Sequence, residues 1–266
     1  MKKLTYLFLA LIIVACSSDD SSDGSSDGGD NGGDGQSSCI YLDTNGVTIK
    51  ACDDANVGDT GVIDGVTYTV VDEDMLRDMV DNEEDVTKVV TTKVTNMNDM
   101  FSNDVTFNQD IHSWDVSNVS EMGGMFYSSP FNQDISSWDV TNVNNMQKMF
   151  GNTPFNQDIR SWDVSNVTKM GIMFYGSPFN QSIGNWDVSS VTEMNDMFAV
   201  SNFNQDISSW DVSNVTDMYN MFREASNFNQ DISSWSVDNV IYCDYFSDNA
   251  PLTEANTPNF TNCNPN

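Results

Sequence analysis

A 24-residue pattern of apolar and polar positions fills most of the 266-residue chain. Its fullest form reads Phe-Asn-Gln-Asp-Ile-x-x-Trp-Asp-Val-x-x-Val-x-x-Met-x-x-Met-Phe, where x varies between copies. A weaker copy comes first and begins near Val86, and one inserted residue precedes the last copy. Because a period of this length is typical of stacked repeats, each copy is expected to cover the apolar side of its neighbour. The phenylalanines that open the full copies are Phe107, Phe131, Phe155, Phe179, Phe203 and Phe228.

The spacing inside each copy predicts one short strand, a bend and one helical turn. Tryptophan and valine two positions apart place both side chains on the inner side of a strand, and the polar residues beside them on the outer side. Methionine, methionine and phenylalanine at positions i, i+3 and i+4 predict the helical turn. The predicted fold class is therefore a repeat solenoid of about seven coils over residues 86–247, with one short parallel strand in each coil.

Residues 39–85 lack the repeat and are predicted to form an amino-terminal cap. Asn45-Gly46 predicts a type I′ turn between two short strands. Asp64-Gly65 predicts a second turn, between residues 62–63 and 66–71, and so another hairpin. The cap is therefore expected to begin with two antiparallel strand pairs.

A helix with one apolar stripe is predicted to complete this cap. Asp72 is placed as its N-cap, since an aspartate side chain can accept a free N–H of the first turn. At the other end of the chain, residues 248–266 are expected to cover the last coil, because terminal coils of a solenoid need a polar cover. The residues of the helical stripe are Met75, Leu76, Met79 and Val80.

The amino-terminal residues have the pattern of a lipoprotein export signal. Two lysines precede an apolar run, residues 4–14, that is too short to cross a hydrocarbon core of about 30 Å as a helix. A small residue, Ala15, directly before Cys16 fits the lipobox, in which the cysteine is acylated. Residues 1–15 are therefore predicted to be a signal peptide and Cys16 the lipid attachment site. Residues 16–38 are predicted to be a disordered tether rich in Ser, Asp and Gly.

Four cysteines remain after Cys16, and an even number in an exported protein favours two disulfides. Cys39 and Cys52 lie equally far from the first predicted turn, so in a two-residue hairpin they face each other as a non-hydrogen-bonded pair. Two free thiols and the crossed pairing are the alternatives. Cys243 replaces a core methionine of the last copy, and Cys263 is its nearest remaining partner.

The charge of the chain and its acidic rows suggest where a ligand could bind. With 40 acidic and 10 basic residues, the net charge of -30 argues against nucleic acid as a partner. Stacked outward aspartates should repel one another, so calcium or another divalent cation is a candidate ligand at Asp139, Asp163 and Asp187. The alternative is a screened acidic surface that keeps the protein soluble. The whole predicted ligand row is Asp115, Asp139, Asp163, Asp187 and Asp211.

Other repeated polar positions have more than one interpretation. The Asn-Gln pair of each copy is predicted to form hydrogen-bonded ladders between coils, with ligand recognition as the alternative. His112 is the only histidine, at an outward and variable position, so neither a catalytic triad nor a zinc site is expected and the protein is not predicted to be an enzyme. A second acidic row consists of Asp110, Asp134, Asp158, Asp206 and Asp231.

Residues 203–222 read Phe-Asn-Gln-Asp-Ile-Ser-Ser-Trp-Asp-Val-Ser-Asn-Val-Thr-Asp-Met-Tyr-Asn-Met-Phe. This segment resembles the BspA-like leucine-rich-repeat surface proteins, which are lipoproteins of bacteria, and the resemblance covers roughly residues 46–263. It implies an extracellular leucine-rich-repeat-like solenoid, associated in some relatives with adhesion to host proteins or other cells. Trp, Val and Met stand here where better known members place Leu and Ile, so the choice of partner is not carried over.

Together these features predict a surface lipoprotein of the outer membrane, held to the membrane by the lipid on Cys16. The expected function is adhesion or capture of an extracellular protein or glycan through the repeated Ser/Asp surface, with cations as candidate mediators. The alternative is a passive spacer without a specific ligand.

Overall fold

The computed structural model describes residues 39–265. The predicted signal peptide, the lipid attachment site Cys16 and the tether lie outside the described residues. Regular elements are concentrated before residue 91, and after it the described chain contains one short 3-10 helix, Glu254–Asn256. The elements in chain order are β1 (Ile40–Leu42), β2 (Ile49–Ala51), β3 (Thr60–Ile63), β4 (Val66–Val70), α1 (Glu73–Asp81) and β5 (Val89–Val90).

The first hairpin joins β1 and β2 in the predicted register, with Tyr41 opposite Lys50. Its turn is not the predicted type I′, because Gly46 has a positive φ of 73° and Asn45 does not have a positive φ. The Asn45 side-chain oxygen instead accepts the Thr48 N–H at 2.9 Å. This side-chain bond replaces the backbone pairing nearest the turn and widens the loop.

Because the loop is wider than predicted, the two cysteines of the first disulfide form a different type of residue pair in the hairpin. Cys39 and Cys52 are bonded as predicted, with 5.3 Å between their Cα atoms. The Cys52 N–H also donates to the Cys39 carbonyl at 2.8 Å, so the predicted non-hydrogen-bonded pairing is wrong. Hydrogen-bonded and non-hydrogen-bonded pairs alternate along the hairpin, beginning with the hydrogen-bonded pair of Asp43 and Thr48. In that pair the Asp43 N–H donates to the Thr48 carbonyl at 2.8 Å.

The second hairpin and the helix follow the predictions. Asp64 and Gly65, between β3 and β4, have φ values of 50° and 81°, as a type I′ turn requires. Asp72 accepts the Met75 N–H at 2.9 Å and caps α1. Leu76 is fully buried, and the rest of the predicted stripe packs partly buried on the same core. β4 then pairs in parallel with β5, which links this region to the first repeat.

Each repeat has two sides that contact the next repeat differently. The tryptophan side runs from the opening phenylalanine to the second valine, for example residues 155–167. The methionine side follows it, for example residues 168–176. Parallel one-residue bridges join the methionine sides, at the residue just before the first methionine. The bridge residues are Asn96, Glu121, Asn145, Lys169, Glu193, Asp217 and Tyr242.

The predicted strand on the tryptophan side is absent. The alternation itself is as predicted, since Trp162 and Val164 are buried and Asp163 between them is exposed. Two turns close the chain on either side, with the Trp162 N–H donating to the Ile159 carbonyl at 3.2 Å and the Val167 N–H to that of Val164 at 2.9 Å. The extended stretch between these turns is too short for a strand ladder.

The predicted helical turn on the methionine side is replaced by three consecutive hydrogen-bonded turns, which begin at Met170, Ile172 and Phe174. The Met173 N–H donates to the Met170 carbonyl at 3.2 Å, and Ile172 between them has a φ of 63°. A second positive φ, 62°, follows at Gly176. These left-handed residues end any α-helix, and a β-branched residue adopts this conformation only at a cost in strain.

The left-handed residues turn alternate N–H groups of the methionine side toward the next repeat. The acceptors are main-chain carbonyls 23 residues further along the chain. A helix would have used the same N–H groups internally, which is why the i, i+3, i+4 pattern misled the prediction. The donors, with their distances to the acceptor oxygen, are Met170 (2.9 Å), Ile172 (2.8 Å), Phe174 (3.0 Å) and Gly176 (3.0 Å).

The consensus apolar side chains form one core that extends from the cap to the last repeat. Phenylalanine rings of successive repeats stack on one another, with centroids 3.9 Å apart for Phe150 and Phe155 and 5.9 Å for Phe150 and Phe174. The rings of Trp114 and Trp138 are nearly parallel, with centroids 6.4 Å apart. Like side chains therefore lie over one another, and the outer positions repeat at the same interval.

The carboxyl-terminal residues lie against the last repeat. Cys243 and Cys263 form the second predicted disulfide, with 5.8 Å between their Cα atoms. The ring of Phe260 contacts that of Phe246 at a centroid distance of 4.9 Å. The carbonyl of Asn256 accepts the N–H of Ile232, from the last repeat, at 3.0 Å.

Candidate functional site

Four of the five predicted ligand aspartates are exposed, and each carboxylate has the same local role. In each case Oδ1 accepts the backbone N–H of the residue two positions later, at 3.0 to 3.2 Å. Within residues 39–265 no protein donor reaches their Oδ2 atoms. One oxygen therefore stabilises the turn and the other faces solvent. These aspartates are Asp139, Asp163, Asp187 and Asp211.

The turn bonds favour the ionised form of the carboxylate. The hydroxyl and N–H of Ser165 both donate to Asp163 and lower its pKa. Ser213 lowers the pKa of Asp211 in the same way. Asp163 and Asp211 therefore carry their full negative charge at neutral pH.

Asp115 does not belong to the exposed row, and its prediction as a ligand residue is wrong. Its side chain is 2% exposed and accepts hydrogen bonds from the hydroxyls of Thr92 at 2.7 Å and Ser117 at 2.6 Å. The cap covers this first full repeat, where the Ile49 N–H donates to the Ser113 carbonyl at 2.9 Å. Lys50 of the cap also places its Nζ 4.0 Å from Asp115 Oδ1, so this aspartate is buried against the cap although it matches the consensus in sequence.

The second acidic row also serves the turns. Although burial acts in the opposite direction, hydrogen bonds from His112 lower the pKa of Asp110, and the imidazole Nδ1 lies 2.6 Å from its Oδ1. Two repeats further along the chain, Arg160 Nε lies 2.8 Å from Oδ2 of Asp158 in the same repeat. His112 is exposed, as predicted. Two members of this row thus carry a basic partner.

The Asn-Gln pairs form the predicted ladders. The Asn132 N–H donates to the Asn108 side-chain oxygen at 2.9 Å, and the Gln133 amide donates to the Asn108 carbonyl at 3.2 Å. The same pattern continues through Asn156 and Asn180 at 2.9 to 3.0 Å. These amides are used in holding neighbouring repeats together.

Among residues 39–265, no three His, Cys, Asp or Glu side chains are placed so that they could hold a metal ion. Open depressions of about 490 and 330 Å³ lie along the second acidic row, and Asp134 lines both. A smaller cavity of about 160 Å³ lies beside the cap. Its polar lining includes Glu83, Glu84 and Asp104. Over the same residues, no helix has the length and apolar character needed to span a membrane.

A group of exposed aromatic side chains on the last repeats was not predicted from the sequence. We call Tyr219, Tyr242 and Tyr245 the tyrosine patch; their exposed fractions are 39%, 55% and 49%. The rings of Tyr219 and Tyr245 meet edge to face at 6.2 Å. In the sequence these tyrosines stand at variable positions of the methionine side, where the consensus specifies no residue, and this was the one feature that could have indicated the patch.

Three acidic side chains and one buried amide lie on the methionine side of neighbouring repeats. Burial raises the pKa of Asp217, and the charges of Glu193 and Asp196 raise it further. The Asn220 side-chain Nδ2 donates to Asp196 Oδ1 at 3.0 Å. The Asn220 Oδ1 atom is buried and has no hydrogen-bond partner. In the described residues, every other buried side-chain polar atom has one.

Comparison with known proteins gives one match. The family model described as "Mycoplasma protein of unknown function, DUF285" matches residues 73–178 and again residues 151–260. The two matches overlap, as expected for a repetitive sequence, and together cover more than half of the chain. No curated protein and no solved structure matches.

Proposed function

Because the chain belongs to the DUF285 family, whose description assigns no activity, we propose a function from its own residues: it is a lipid-anchored surface protein that captures an extracellular ligand. The proposed ligand is an extended protein or glycan that contacts several repeats at once. In this proposal the stack is a leucine-rich-repeat-like solenoid. The resemblance to the BspA-like surface lipoproteins supports that interpretation.

The proposed location rests on the amino-terminal sequence and the disulfides. The lipobox places the lipid on Cys16, and the polar tether separates the repeats from the membrane. Two disulfides, Cys39–Cys52 and Cys243–Cys263, are typical of a protein exported from the cytoplasm. The outer face of the outer membrane is the location that we propose.

One observation carries the proposed binding surface: the row of carboxylates whose Oδ1 atoms are held by turns while their Oδ2 atoms are open. Fixed, evenly repeated acceptors suit a ligand that itself repeats, because each unit then meets the same group. Like charges at the same position of successive repeats repel one another, by up to about 1 kcal/mol for each pair in water. A divalent cation shared between Oδ2 atoms, or ligand donors, would relieve that repulsion.

The turn bonds also favour a second function, that of a passive spacer. Because every Oδ1 stabilises a turn, the aspartate of each repeat has a structural role without any ligand. A spacer needs only the length and stability of the stack.

A binding experiment with matched variants separates the two functions. The mature protein is applied to an array of glycans and extracellular matrix proteins, with and without chelator, and titrated calorimetrically with calcium. The variant Asp139→Asn, Asp163→Asn, Asp187→Asn keeps the turn acceptors but removes the charge. Its control is the matching change of the second row at Asp134, Asp158 and Asp206.

A capture protein should bind array members, and the first triple variant should lose at least about tenfold in affinity while the second does not. Loss of binding on chelation would assign the cation a mediating role. Binding to nothing in either condition, or equal binding by both variants, contradicts the proposed surface and favours the spacer.

A further inference from the structure

A cavity lies between the end of α1 and the segment that leads into the first full repeat. Its volume is about 160 Å³, and residues on both sides of the cap boundary line it. A protein cavity of about 150 Å³ can hold a benzene ring. The cavity is therefore too small for a drug-sized ligand but large enough for a single side chain or a molecule of similar size.

Part of the cavity lining is apolar. The apolar lining residues are Val80, Val86 and Phe107. Val86 and Phe107 are buried in the core that extends through the stack, and Val80 is half-buried against the same core. An alkyl group in the cavity would leave water for this apolar lining, which favours binding.

Three carboxylates line the same cavity, those of Glu83, Glu84 and Asp104. None of them takes part in an ion pair in the part of the chain that the structure describes. Arg77 and Lys88, the basic residues nearest to the helix end in the sequence, pair with other acids at 3.1 and 3.5 Å. A cleft lined by charges of one sign concentrates ions of the opposite sign, so the cavity favours a cationic group.

A turn holds one of these carboxylates at the cavity. Asp104 Oδ1 accepts the N–H of Thr106 at 2.9 Å and that of Phe107 at 3.1 Å, and both of these residues line the cavity. Within residues 39–265 no protein donor reaches Asp104 Oδ2. One oxygen is therefore used by the turn, and the other can accept a hydrogen bond from a ligand.

Gln109 joins the two sides of the cavity. Its side-chain oxygen accepts the Val86 N–H at 2.9 Å, and its side-chain amide donates to the Glu84 carbonyl at 2.9 Å. The segment after α1 is thus fixed to the first full repeat by two hydrogen bonds. Because the lining is already held in place, a ligand would bind without the cost of ordering it.

The placement of the carboxylates distinguishes between kinds of cation. No three acidic side chains among the described residues are placed so that they could hold a metal ion, so these three do not converge on one point. An alkylammonium ion needs no such convergence. Its nitrogen can donate to one or two carboxylates while its methylene groups lie against apolar surface.

From these observations we infer that the cavity binds a primary ammonium group on a short alkyl chain. This chemistry is shared by the lysine side chain of a polypeptide and by small free amines. The ammonium group donates to carboxylates among Glu83, Glu84 and Asp104, and the alkyl chain lies against Val80 and Phe107. This cavity shares no residue with the aspartate row on which the proposed function rests, so it is a second binding site.

A nuclear magnetic resonance titration of the full mature protein at physiological ionic strength tests the inference, with the Gln109 side-chain amide as the reporter. The first probe is n-butylammonium. Methylammonium, which has the charge without the chain, and n-butanol, which has the chain without the charge, are its controls. Nα-acetyl-lysine methylamide then distinguishes a polypeptide lysine from a free amine.

Two double variants with equal changes in charge separate the cavity from general attraction. Glu83→Gln, Glu84→Gln removes two charges from the cavity lining. Asp78→Asn, Asp81→Asn is the matched control, since both aspartates are exposed on α1 and neither lines the cavity. All four side chains are exposed, so both variants should fold.

We expect n-butylammonium to bind at least about tenfold more tightly than methylammonium or n-butanol, because both the chain and the charge contribute. The Glu83, Glu84 variant should bind it at least about fivefold more weakly, and the Asp78, Asp81 variant should change its affinity by less than about twofold. If the lysine derivative binds as tightly as n-butylammonium, the source is a polypeptide; weaker binding of the derivative identifies a free amine.

Three results would overturn the inference: no binding of n-butylammonium, equal binding of methylammonium, or equal losses in the two double variants. The last two would show only attraction to a negatively charged protein. Failure of the proposed function is distinguishable from these results. In that case the array gives no binding, while the binding of n-butylammonium still depends on Glu83 and Glu84.

Discussion

The two sides of each repeat are joined to their neighbours by different chemistry. On the tryptophan side, side chains donate to backbone carbonyls of the preceding repeat, as Trp162 Nε1 does to Ile135 at 3.3 Å and Asn166 Nδ2 does to Thr141 at 2.8 Å. On the methionine side the bonds run from main chain to main chain, as from Phe174 at 3.0 Å. Only the first kind of bond depends on which residue is present.

This difference explains why one side is strict in sequence and the other is variable. Asn, Gln and Trp recur on the tryptophan side because their side chains make the connections, and Asp recurs because its side chain stabilises a turn within the repeat. The second turn residue after each bridge varies, because its main-chain N–H bonds to the next repeat whichever side chain is present. New surface chemistry can therefore arise on the methionine side without weakening the stack. The residues at that position in successive repeats are Gly124, Lys148, Ile172, Asp196 and Asn220.

The largest effect is expected from removing a tryptophan. Trp162 is buried in the middle of the stack, and Trp162→Ala should lower the free energy of unfolding by about 3 to 5 kcal/mol, because it leaves a cavity and removes the indole donor. Urea unfolding measures this change. Trp162→Phe, which keeps an aromatic ring but not the donor, should cost less. A loss under about 1 kcal/mol for the alanine variant would mean that the tryptophan side does not hold the repeats together.

A smaller effect on stability is expected from removing one side chain of the Asn-Gln ladder. Asn156→Ala removes the oxygen that accepts the Asn180 N–H at 2.9 Å and the Gln181 amide at 3.1 Å, which should cost about 1 kcal/mol. Its control is Gln147→Ala on the methionine side, where the carbonyl makes the bond and remains. That change should stay within about 0.5 kcal/mol. Equal losses in urea unfolding would contradict the distinction between the two sides.

The smallest effects concern pH, and the two sides should differ in sign. Asp163 has a lowered pKa in the folded protein, so its contribution to stability is present above its unfolded pKa and is lost as pH falls through the folded pKa. Asp217 has a raised pKa, so its ionised form disfavours folding, and that penalty is relieved as pH falls through the raised value.

Urea midpoints between about pH 7 and pH 3 test this prediction. Asp163→Asn should reduce the loss of stability in acid. Asp217→Asn should raise stability at neutral pH and lose that advantage in acid. If both substitutions changed the free energy of unfolding in the same direction at neutral pH, the surroundings of Asp163 and Asp217 would be alike and this prediction would be wrong.

Much of the local structure followed from residue order. The period, the buried consensus positions, the Asp64-Gly65 turn, the Asp72 cap and both disulfides were predicted correctly, because each depends on side-chain spacing within a short stretch. The conformations of the methionine side were not. Its apolar spacing fits a helix, but its N–H groups have partners one repeat away, and the sequence of one copy does not say where those lie.

The candidate site, like the fold, was predictable from the sequence only in part. The sequence by itself determined that aspartates recur at outward positions, since alternation with buried tryptophan and valine requires it. Only the tertiary structure decided that the cap buries Asp115, that each exposed carboxylate keeps one oxygen open, and that the side-chain oxygen of Asn220 is buried without a hydrogen-bond partner. The physical reason is that burial and the bonds between repeats depend on neighbours about one repeat away in the sequence, whereas a periodic pattern specifies only which way each side chain points.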